Sequence, residues 1–180
     1  KYKIGAVFTD FSPLNIYEKR IKNVLSKTNP PFYQIDAHNI VPVWEASKKQ
    51  EYAAYTFRPK LLSKLKDFLV EYPKLKKHPF NIKDKTKRIN FSSIYKGLNI
   101  DFTIKELDWI QPGESAAQDM LESFINNKLK DYDEKRNNPN FNQLSNLSPY
   151  IHYGQISAQQ IALKLESIDN TNSFLEQFII

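Results

Sequence analysis

The sequence predicts an α/β segment followed by an all-helical segment within a chain of 180 residues. Two short apolar runs separated by a helical pattern indicate the first segment, because strand, helix and strand in that order are typical of a parallel sheet. Helical apolar spacing from Gly113 onward indicates the second segment. Hydrophobic residues make up 41% of the chain, which is enough for a buried core.

The α/β segment is predicted from four short patterns near the start of the chain. Ile4–Thr9 is an apolar run that predicts a buried strand, and residues 14–25 carry apolar side chains at helical spacing until Pro30 stops the helix. Phe32–Ile35 predicts a second strand, and Val41–Trp44 a further short one. We expect the strands at 4–9 and 32–35 to pair in parallel.

Two segments of different character follow. Residues 58–72 place Leu, Phe and Tyr side chains on one face, which predicts an amphipathic helix with Pro59 in its first turn, where proline is tolerated. Residues 74–88 form a basic, proline-containing loop with seven Lys and Arg side chains and one Asp. A solvated surface loop is the favoured interpretation, ahead of a DNA contact.

The helical segment begins with its longest pattern. Residues 113–136 predict one helix. Ser148–Pro149 predicts the start of another, with the serine as N-cap and the proline at the first helical position. Ser157 is expected to cap a helix over residues 158–165, and Thr171 or Asn172 to cap the last helix.

Composition limits the possible functions. The formal net charge of +6 fits a polyanionic partner only weakly, and an ordinary basic protein equally well. The absence of cysteine excludes disulfides and thiolate metal sites and suits a reducing compartment. No apolar run approaches the roughly 20 residues of a membrane helix, so we expect an intracellular protein. The chain starts without Met and stops within a helical pattern, so we expect it to be an internal fragment.

Familiar catalytic sets do not appear in the sequence. The three histidines are far apart, and four glycines do not form a phosphate-binding loop. Ser145, Asn146 and Ser148 stand together just before a predicted helix start, where hydroxyls and free backbone N–H groups can hold a diphosphate. Plain N-capping explains the same residues, and from the residues alone it is the commoner case.

Several sequence blocks, in order and spacing, resemble the class II cyclobutane pyrimidine dimer photolyases. The blocks are TDFSPL from Thr9, DAHNIVPVW from Asp36, KQEYAA from Lys49, RPK from Arg58, GESAA from Gly113, RNNP from Arg136 and SNLSPYIHYGQIS from Ser145. Each block is weak alone, whereas together they cover nearly the whole chain. The resemblance implies light-driven repair of pyrimidine dimers in DNA by electron transfer from reduced FAD, in a parent protein that is expected to be a monomer.

The resemblance also implies a division of the chain. Residues 1–45 correspond to the end of a Rossmann-like antenna domain, residues 46–112 to a connector, and residues 113–180 to the start of the helical FAD-binding domain. A second, antenna chromophore of unknown identity accompanies FAD in such proteins. Trp44 and Trp109 are expected to be packing residues, because the electron-relay tryptophans of the family lie beyond this sequence.

Site residues follow from the resemblance position by position. Tyr132 matches a tyrosine near the flavin phosphates, and Leu144, Ser145, Asn146, Leu147 and Ser148 match the strip that wraps the diphosphate and ribityl chain. Arg136 matches an arginine that either pairs internally or meets DNA phosphate. Glu176 and Gln177 match a pair of acids of which the second contacts the dimer. Gln177 departs from the pattern, because a carboxamide supplies neither the charge nor the proton of an acid.

Two other functions remain open at this point. A cryptochrome-like receptor that binds FAD without repairing DNA is one, and Gln177 favours it. A basic nucleic-acid-binding module without a cofactor is the other, based on the net charge and the loop at 74–88. A flavin spectrum distinguishes the last from the others, and light-dependent repair distinguishes the first two.

Overall fold

The computed structural model describes residues 4–77, 79, 89–169 and 171–179. The chain divides into two compact units, one made of Lys1–Glu71 with Pro112–Ile180 and the other of Tyr72–Gln111. The larger unit contains β1 (Val7–Asp10), α1 (Asn15–Leu25), β2 (Phe32–Ile35), α2 (Val43–Ala46), α3 (Ala54–Phe68), α5 (Glu114–Asn127), α6 (Tyr132–Lys135), α7 (Ser148–His152), α8 (Ala158–Leu165) and α9 (Asn172–Ile179), and the smaller unit contains α4 (Phe91–Gly97). None of the described helices is long and apolar enough to cross a membrane.

The predicted parallel strand pair is confirmed. β1 and β2 run parallel in a register that begins with Val7 opposite Phe32. The predicted burial of the first strand is wrong, because its residues alternate between half-buried and exposed. Phe8 stacks on Tyr33 at a centroid distance of 5.2 Å, and both rings lie on an exposed face of the two-stranded sheet.

The third strand predicted at Val41–Trp44 is wrong, because this segment turns into α2. Asp36, which directly follows β2, is buried, and its carboxylate accepts hydrogen bonds from the backbone N–H groups of His38, Asn39 and Val43. The Asn39 side-chain amide donates to the same carboxylate. These donors turn the chain back on itself, and the Val43 N–H is thereby used by a side chain and not by a strand partner.

α3 begins earlier than predicted and ends earlier, at Ala54–Phe68 in place of 58–72. The Ala53 carbonyl accepts hydrogen bonds from the N–H groups of Thr56 and Phe57, so the first helical turn forms before Pro59 is reached. Pro59 therefore lies inside the helix and not in its first turn. Leu61 of this helix is buried in a small core with Val41 and Ala46.

The single helix predicted over residues 113–136 is also wrong, because it breaks after α5. Lys128 leaves the helical conformation, with φ −127° and ψ −30°. Its ammonium donates to the Asn142 side chain at 3.2 Å and to the Leu144 carbonyl at 3.1 Å, and its own carbonyl accepts from Gln143 at 2.5 Å. These contacts stabilise the end of α5 at this point, and a short 3-10 turn then leads into α6.

The rest of the helical segment agrees with the prediction except at α7. Over the described residues 113–169 and 171–179, the regular structure is helical throughout. The Ser157 hydroxyl caps α8 by accepting the Gln160 N–H at 3.1 Å. The Thr171 carbonyl accepts the N–H groups of Phe174 and Leu175 in α9, while the Thr171 hydroxyl donates to the Ile168 carbonyl. Ser148, however, is the first helical residue of α7, and Leu147 occupies the N-cap position.

The smaller unit carries little regular structure. α4 is capped by Asn90, whose side chain accepts the Ser93 N–H at 3.3 Å. Trp109 is 54% exposed, so it packs less than the sequence predicts. In the basic segment the lysines at 74, 76 and 77 are exposed. The remaining basic residues at 83, 85, 87 and 88 lie outside the described residues.

Candidate functional site

An open cleft of about 430 Å³ is lined by several residues of the predicted cofactor strip together with three residues of α9. Ser145, Ser148 and Gln177 contribute polar atoms to its lining. The other lining residues come from the same loop and from α7, α8 and α9: Leu147, Ile151, His152, Ala158, Phe174 and Phe178. The two regions that resemblance singled out, 30 or so residues apart in the chain, therefore meet at one surface depression.

The loop before α7 is held by its own residues. Leu147 is fully buried and anchors the loop to the core. Its N–H donates to the Ser145 hydroxyl at 3.4 Å, a long bond. Asn146 adopts the left-handed conformation with φ 56°, which asparagine tolerates better than most residues. The buried Leu147 and the left-handed Asn146 turn the chain sharply, and Ser145 and Ser148 both line the cleft. Leu144 is 56% exposed, and Asn146 is absent from the cleft lining.

α7 is too short to act as a strong dipole, because it contains five residues. The predicted diphosphate site therefore depends less on the helix terminus than on side chains. Ser148 is exposed at the first helical position, and no side chain caps this helix, so capping does not explain the serine. Its hydroxyl is available to a bound ligand.

Tyr132 lies behind the cleft and not on its wall. The ring is buried and packs edge-on against Phe124 at 5.4 Å and against Phe174 at 5.1 Å. The hydroxyl donates a hydrogen bond to Oε1 of Gln177 at 3.0 Å. The tyrosine that resemblance assigns to the flavin phosphates is thus bonded in this structure to the residue that resemblance assigns to the dimer.

Arg136 points inward. Its guanidinium carbon lies 5.6 Å from the centre of the Tyr132 ring, within the range of a cation–π interaction. Its Nε atom is buried without a hydrogen-bond partner among the described residues. Of the two roles that the resemblance offers for this arginine, the internal one matches this orientation.

Glu176 and Gln177 face different neighbours. The Glu176 carboxylate forms an ion pair with Arg58 at 2.5 Å and so links α9 to α3. Both side chains of this pair are about half exposed. Gln177 lines the cleft, whereas Glu176 is absent from its lining. The polar group that α9 presents to the cleft is therefore the carboxamide.

His152 is a cleft residue that the sequence analysis treated as structural. It lies four residues after Ser148, so the two share one face of α7 and both line the cleft. The four-residue spacing between Ser148 and His152 is the sequence signal that could have identified this histidine as a site residue. Within the described part of the chain, no group of His, Asp and Glu side chains is arranged to hold a metal ion.

Known DNA photolyases are similar to this chain in sequence. A family model described as DNA photolyase matches residues 1–79. Over 98% of the chain, the sequence is 39% identical to a deoxyribodipyrimidine photo-lyase of Potorous tridactylus, and over 96% it is 38% identical to one of Arabidopsis thaliana. A deoxyribodipyrimidine photo-lyase of Methanothermobacter thermautotrophicus is 30% identical over 98% of the chain.

The chain is thus similar to DNA photolyases over nearly all of its length. It spans 35% to 39% of the length of these photo-lyases, so the matched region is a little over a third of each relative. The fold agrees with a solved photolyase as well. A bacterial class III photolyase from Agrobacterium tumefaciens superimposes with a TM-score of 0.60 over 96% of this chain and 38% of that one, at 22% identity. At that identity the likeness is one of fold.

Proposed function

We propose that this chain is part of a class II photolyase that repairs cyclobutane pyrimidine dimers in DNA with light and reduced FAD. The observation that carries the proposal is the shared cleft, where Ser145 and Ser148 of the cofactor strip meet Gln177 of α9. The relatives named deoxyribodipyrimidine photo-lyase support the reaction. The sequence blocks before and within α7 support the class.

The cleft has the chemistry to hold part of a flavin nucleotide. Two serines and a histidine line it, together with the apolar residues Leu147, Ile151 and Phe174. Hydroxyl donors suit charged phosphate oxygens, and apolar walls suit a planar ring system. We assign Leu144 to Ser148 to the cofactor, with Tyr132 behind them. Photoexcited reduced FAD, when bound, supplies the electron that opens the dimer.

In this proposal, the chain's own residues bind the cofactor and orient the damaged nucleotides. Ser145 and Ser148 donate hydrogen bonds to charged oxygens of the cofactor. The two linked pyrimidines, which are neighbours on one strand, reach the cleft only after they leave the duplex stack. Gln177 lines the cleft and is the residue we assign to a pyrimidine carbonyl, whereas Glu176 forms the ion pair with Arg58. The proposed partner is DNA that contains a pyrimidine dimer. The protein is proposed to act as a monomer in the compartment that holds the DNA of its host. We also propose that the antenna domain ends at residue 45 and that the FAD-binding domain begins after residue 112.

The test uses the full-length protein that contains this chain. A bound flavin absorption spectrum and loss of thymine dimers from an irradiated oligonucleotide under blue light are the expected results. Repair in the dark equal to repair in the light would overturn the proposal. A protein with bound flavin and no repair would be a light receptor, and a protein that bound DNA without flavin would be a nucleic-acid-binding module.

A further inference from the structure

We infer that the smaller unit, Tyr72–Gln111, is a second contact to DNA, which binds the phosphate backbone outside the cleft and without regard to damage. The inference rests on the proposed function, because that function supplies DNA as the partner. It goes beyond the cofactor and dimer sites, since none of the residues of this unit lines the cleft.

The net charge of the chain is concentrated in the smaller unit. Its 40 residues contain nine Lys and Arg and four Asp and Glu, a formal net charge of +5. The larger unit contains 17 Lys and Arg and 16 Asp and Glu, a formal net charge of +1. A basic surface on one unit is the electrostatic footprint of a polyanion site, whereas the same charge spread over the whole chain would be unremarkable for a basic protein.

The basic residues of this unit that the structure describes are all exposed. They are Lys74, Lys76, Lys77, Lys96 and Lys105. Every described residue between Tyr72 and Trp109 is exposed as well, so these lysines do not cover a core of their own unit. Among the described residues, no ion pair involves any of the five ammonium groups. Their charge is therefore available to an external anion.

Three of these lysines have the spacing of a phosphate contact. Lys74, Lys76 and Lys77 lie in a segment without regular structure after α3. An extended chain advances about 3.3–3.6 Å per residue, so the first and the last of them are at most about 10 Å apart along it. One DNA strand carries a phosphate about every 3.4 Å along the helix axis. The three ammonium groups thus fit neighbouring phosphates of one strand, and such contacts carry no sequence information.

The chain enters and leaves the smaller unit from one segment of the larger unit. The Gln159 side-chain amide donates to the Val70 carbonyl at 2.6 Å, just before the smaller unit begins. Gln155 Oε1 accepts from the Gly113 N–H at 2.9 Å, just after it ends. Ala158, between these two glutamines, lines the cleft. Both ends of the unit are therefore tethered to the segment that forms part of the cleft, so that the two DNA contacts act on one molecule and reinforce each other.

An anionic membrane is the other polyanion that a basic segment fits. Membrane-surface binding commonly uses an amphipathic helix whose apolar face enters the lipid. In the described part of this unit the one helix is α4, which has seven residues and carries one lysine, Lys96. Most of the charge lies outside this helix, which favours the DNA backbone as the partner.

The test is salt-dependent binding of an undamaged duplex by the full-length protein in the dark. The test variant carries K74Q, K76Q and K77Q, and its circular dichroism reports that it folds. Each phosphate contact contributes about 0.9 to the slope of log K against log salt concentration, so we expect the slope to fall by about 2 to 3. A duplex with one thymine dimer should lose affinity by the same factor, because the contact does not read damage. The corresponding triple arginine variant should keep the slope, because it keeps the charge.

Three exposed lysines of the larger unit provide the matched control, which carries K19Q, K27Q and K48Q. The control removes the same charge from the protein, and we expect it to change the slope by less than about 1. An equal fall in both triple variants would mean that only the total charge matters and would overturn the inference. An unchanged slope in the test variant would overturn it as well.

Vesicles of phosphatidylserine and phosphatidylcholine in equal amounts distinguish a membrane from DNA. If the test variant lost vesicle binding and kept its DNA binding, the smaller unit would be a membrane contact and the inference would be wrong. If the unmodified protein repaired no dimers in the light but the test variant still showed the smaller slope, the proposed function would fail and the phosphate contact would stand.

Discussion

The hydroxyl of Tyr132 lies 3.0 Å from Oε1 of Gln177, across 45 residues of sequence. The bond joins α6 to α9, and Phe124 of α5 packs against the same tyrosine ring. The orientation of a cleft residue therefore depends on the packing of the core behind it. A substitution in the aromatic cluster is expected to change ligand recognition as well as stability, because the two share the same side chains.

The two serines at the cleft are expected to act through flavin and not through the fold. Replacing Ser145 and Ser148 together by Ala should weaken FAD retention by about two orders of magnitude or more, if each loses a hydrogen bond to a charged oxygen at roughly 1.5–3 kcal/mol. The free energy of unfolding of the flavin-free protein should fall by less than about 1 kcal/mol, because Ser148 is not a cap here and Ser145 accepts one long hydrogen bond, from the Leu147 N–H at 3.4 Å. Flavin titration and thermal melting of the full-length protein measure the two effects.

Ser157→Ala is the matched control for the serine pair. Its hydroxyl caps α8 through the Gln160 N–H, so its loss should lower the free energy of unfolding by about 1 kcal/mol. Flavin affinity should remain within about threefold of the unmodified protein. If the double variant behaved like S157A, with a lower melt and unchanged flavin affinity, the cofactor assignment of the two cleft serines would be wrong.

The ion pair between Arg58 and Glu176 is expected to contribute little. Because both side chains are about half exposed, Glu176→Gln should lower the free energy of unfolding by about 0.2–1 kcal/mol. The loss should shrink as salt rises toward 1 M, where exposed charges are screened. Denaturant unfolding of the full-length protein at low and high salt measures it. A loss that did not depend on salt would mean that Glu176 acts through something other than its charge.

Local signals in the sequence identify some elements well. The paired strands, the Ser157 cap and the helical character after Gly113 follow from apolar spacing and capping chemistry, which act over a few residues. The break at Lys128 does not, because contacts from Gln143 and Leu144 hold it from 15 or 16 residues away. Tertiary contacts of this kind override a continuous helical pattern.

The candidate site, like the fold, could be predicted only in part from the sequence. Resemblance places Ser145, Ser148 and Gln177 in a functional region, and the fold brings them to one cleft. The bond between Tyr132 and Gln177 and the inward turn of Arg136 depend on how α6 and α9 pack. No spacing within a single segment encodes that packing, so both features emerge only from the structure.

The isolated chain of 180 residues is expected to aggregate. Large apolar side chains are exposed across the larger unit, among them Phe8 at 65%, Tyr33 at 51% and Leu14 at 58%. Exposed apolar surface of this kind is an aggregation hazard when nothing covers it. Light scattering during a thermal melt should rise early and depend on protein concentration. A sharp, reversible melt of a pure monomer would contradict the expectation.

Acid unfolding should reveal Asp36 as a structural carboxylate. Burial opposes ionisation, but hydrogen bonds from the Asn39 side chain and from backbone N–H groups outweigh it, so the pKa of Asp36 lies below its ordinary value of 3.8. A carboxyl whose pKa is lower in the folded state stabilises the fold above its ordinary pKa. That contribution is lost as the pH falls through the lowered folded pKa.

Asp36→Asn removes the charge and places an NH₂ group where N–H donors converge. We expect it to lower the free energy of unfolding at pH 7 by about 2–3 kcal/mol, the range for a buried acceptor of charged hydrogen bonds. It should also remove part of the pH dependence of stability below about pH 4, because the variant has no carboxyl to titrate there. Denaturant unfolding of the full-length protein between pH 7 and pH 3 measures both effects. Asp101→Asn is the matched control, because Asp101 is exposed and, among the residues that the structure describes, its carboxylate accepts hydrogen bonds from Thr103 alone. Equal losses for the two variants would show that the turn after β2 does not depend on the Asp36 carboxylate.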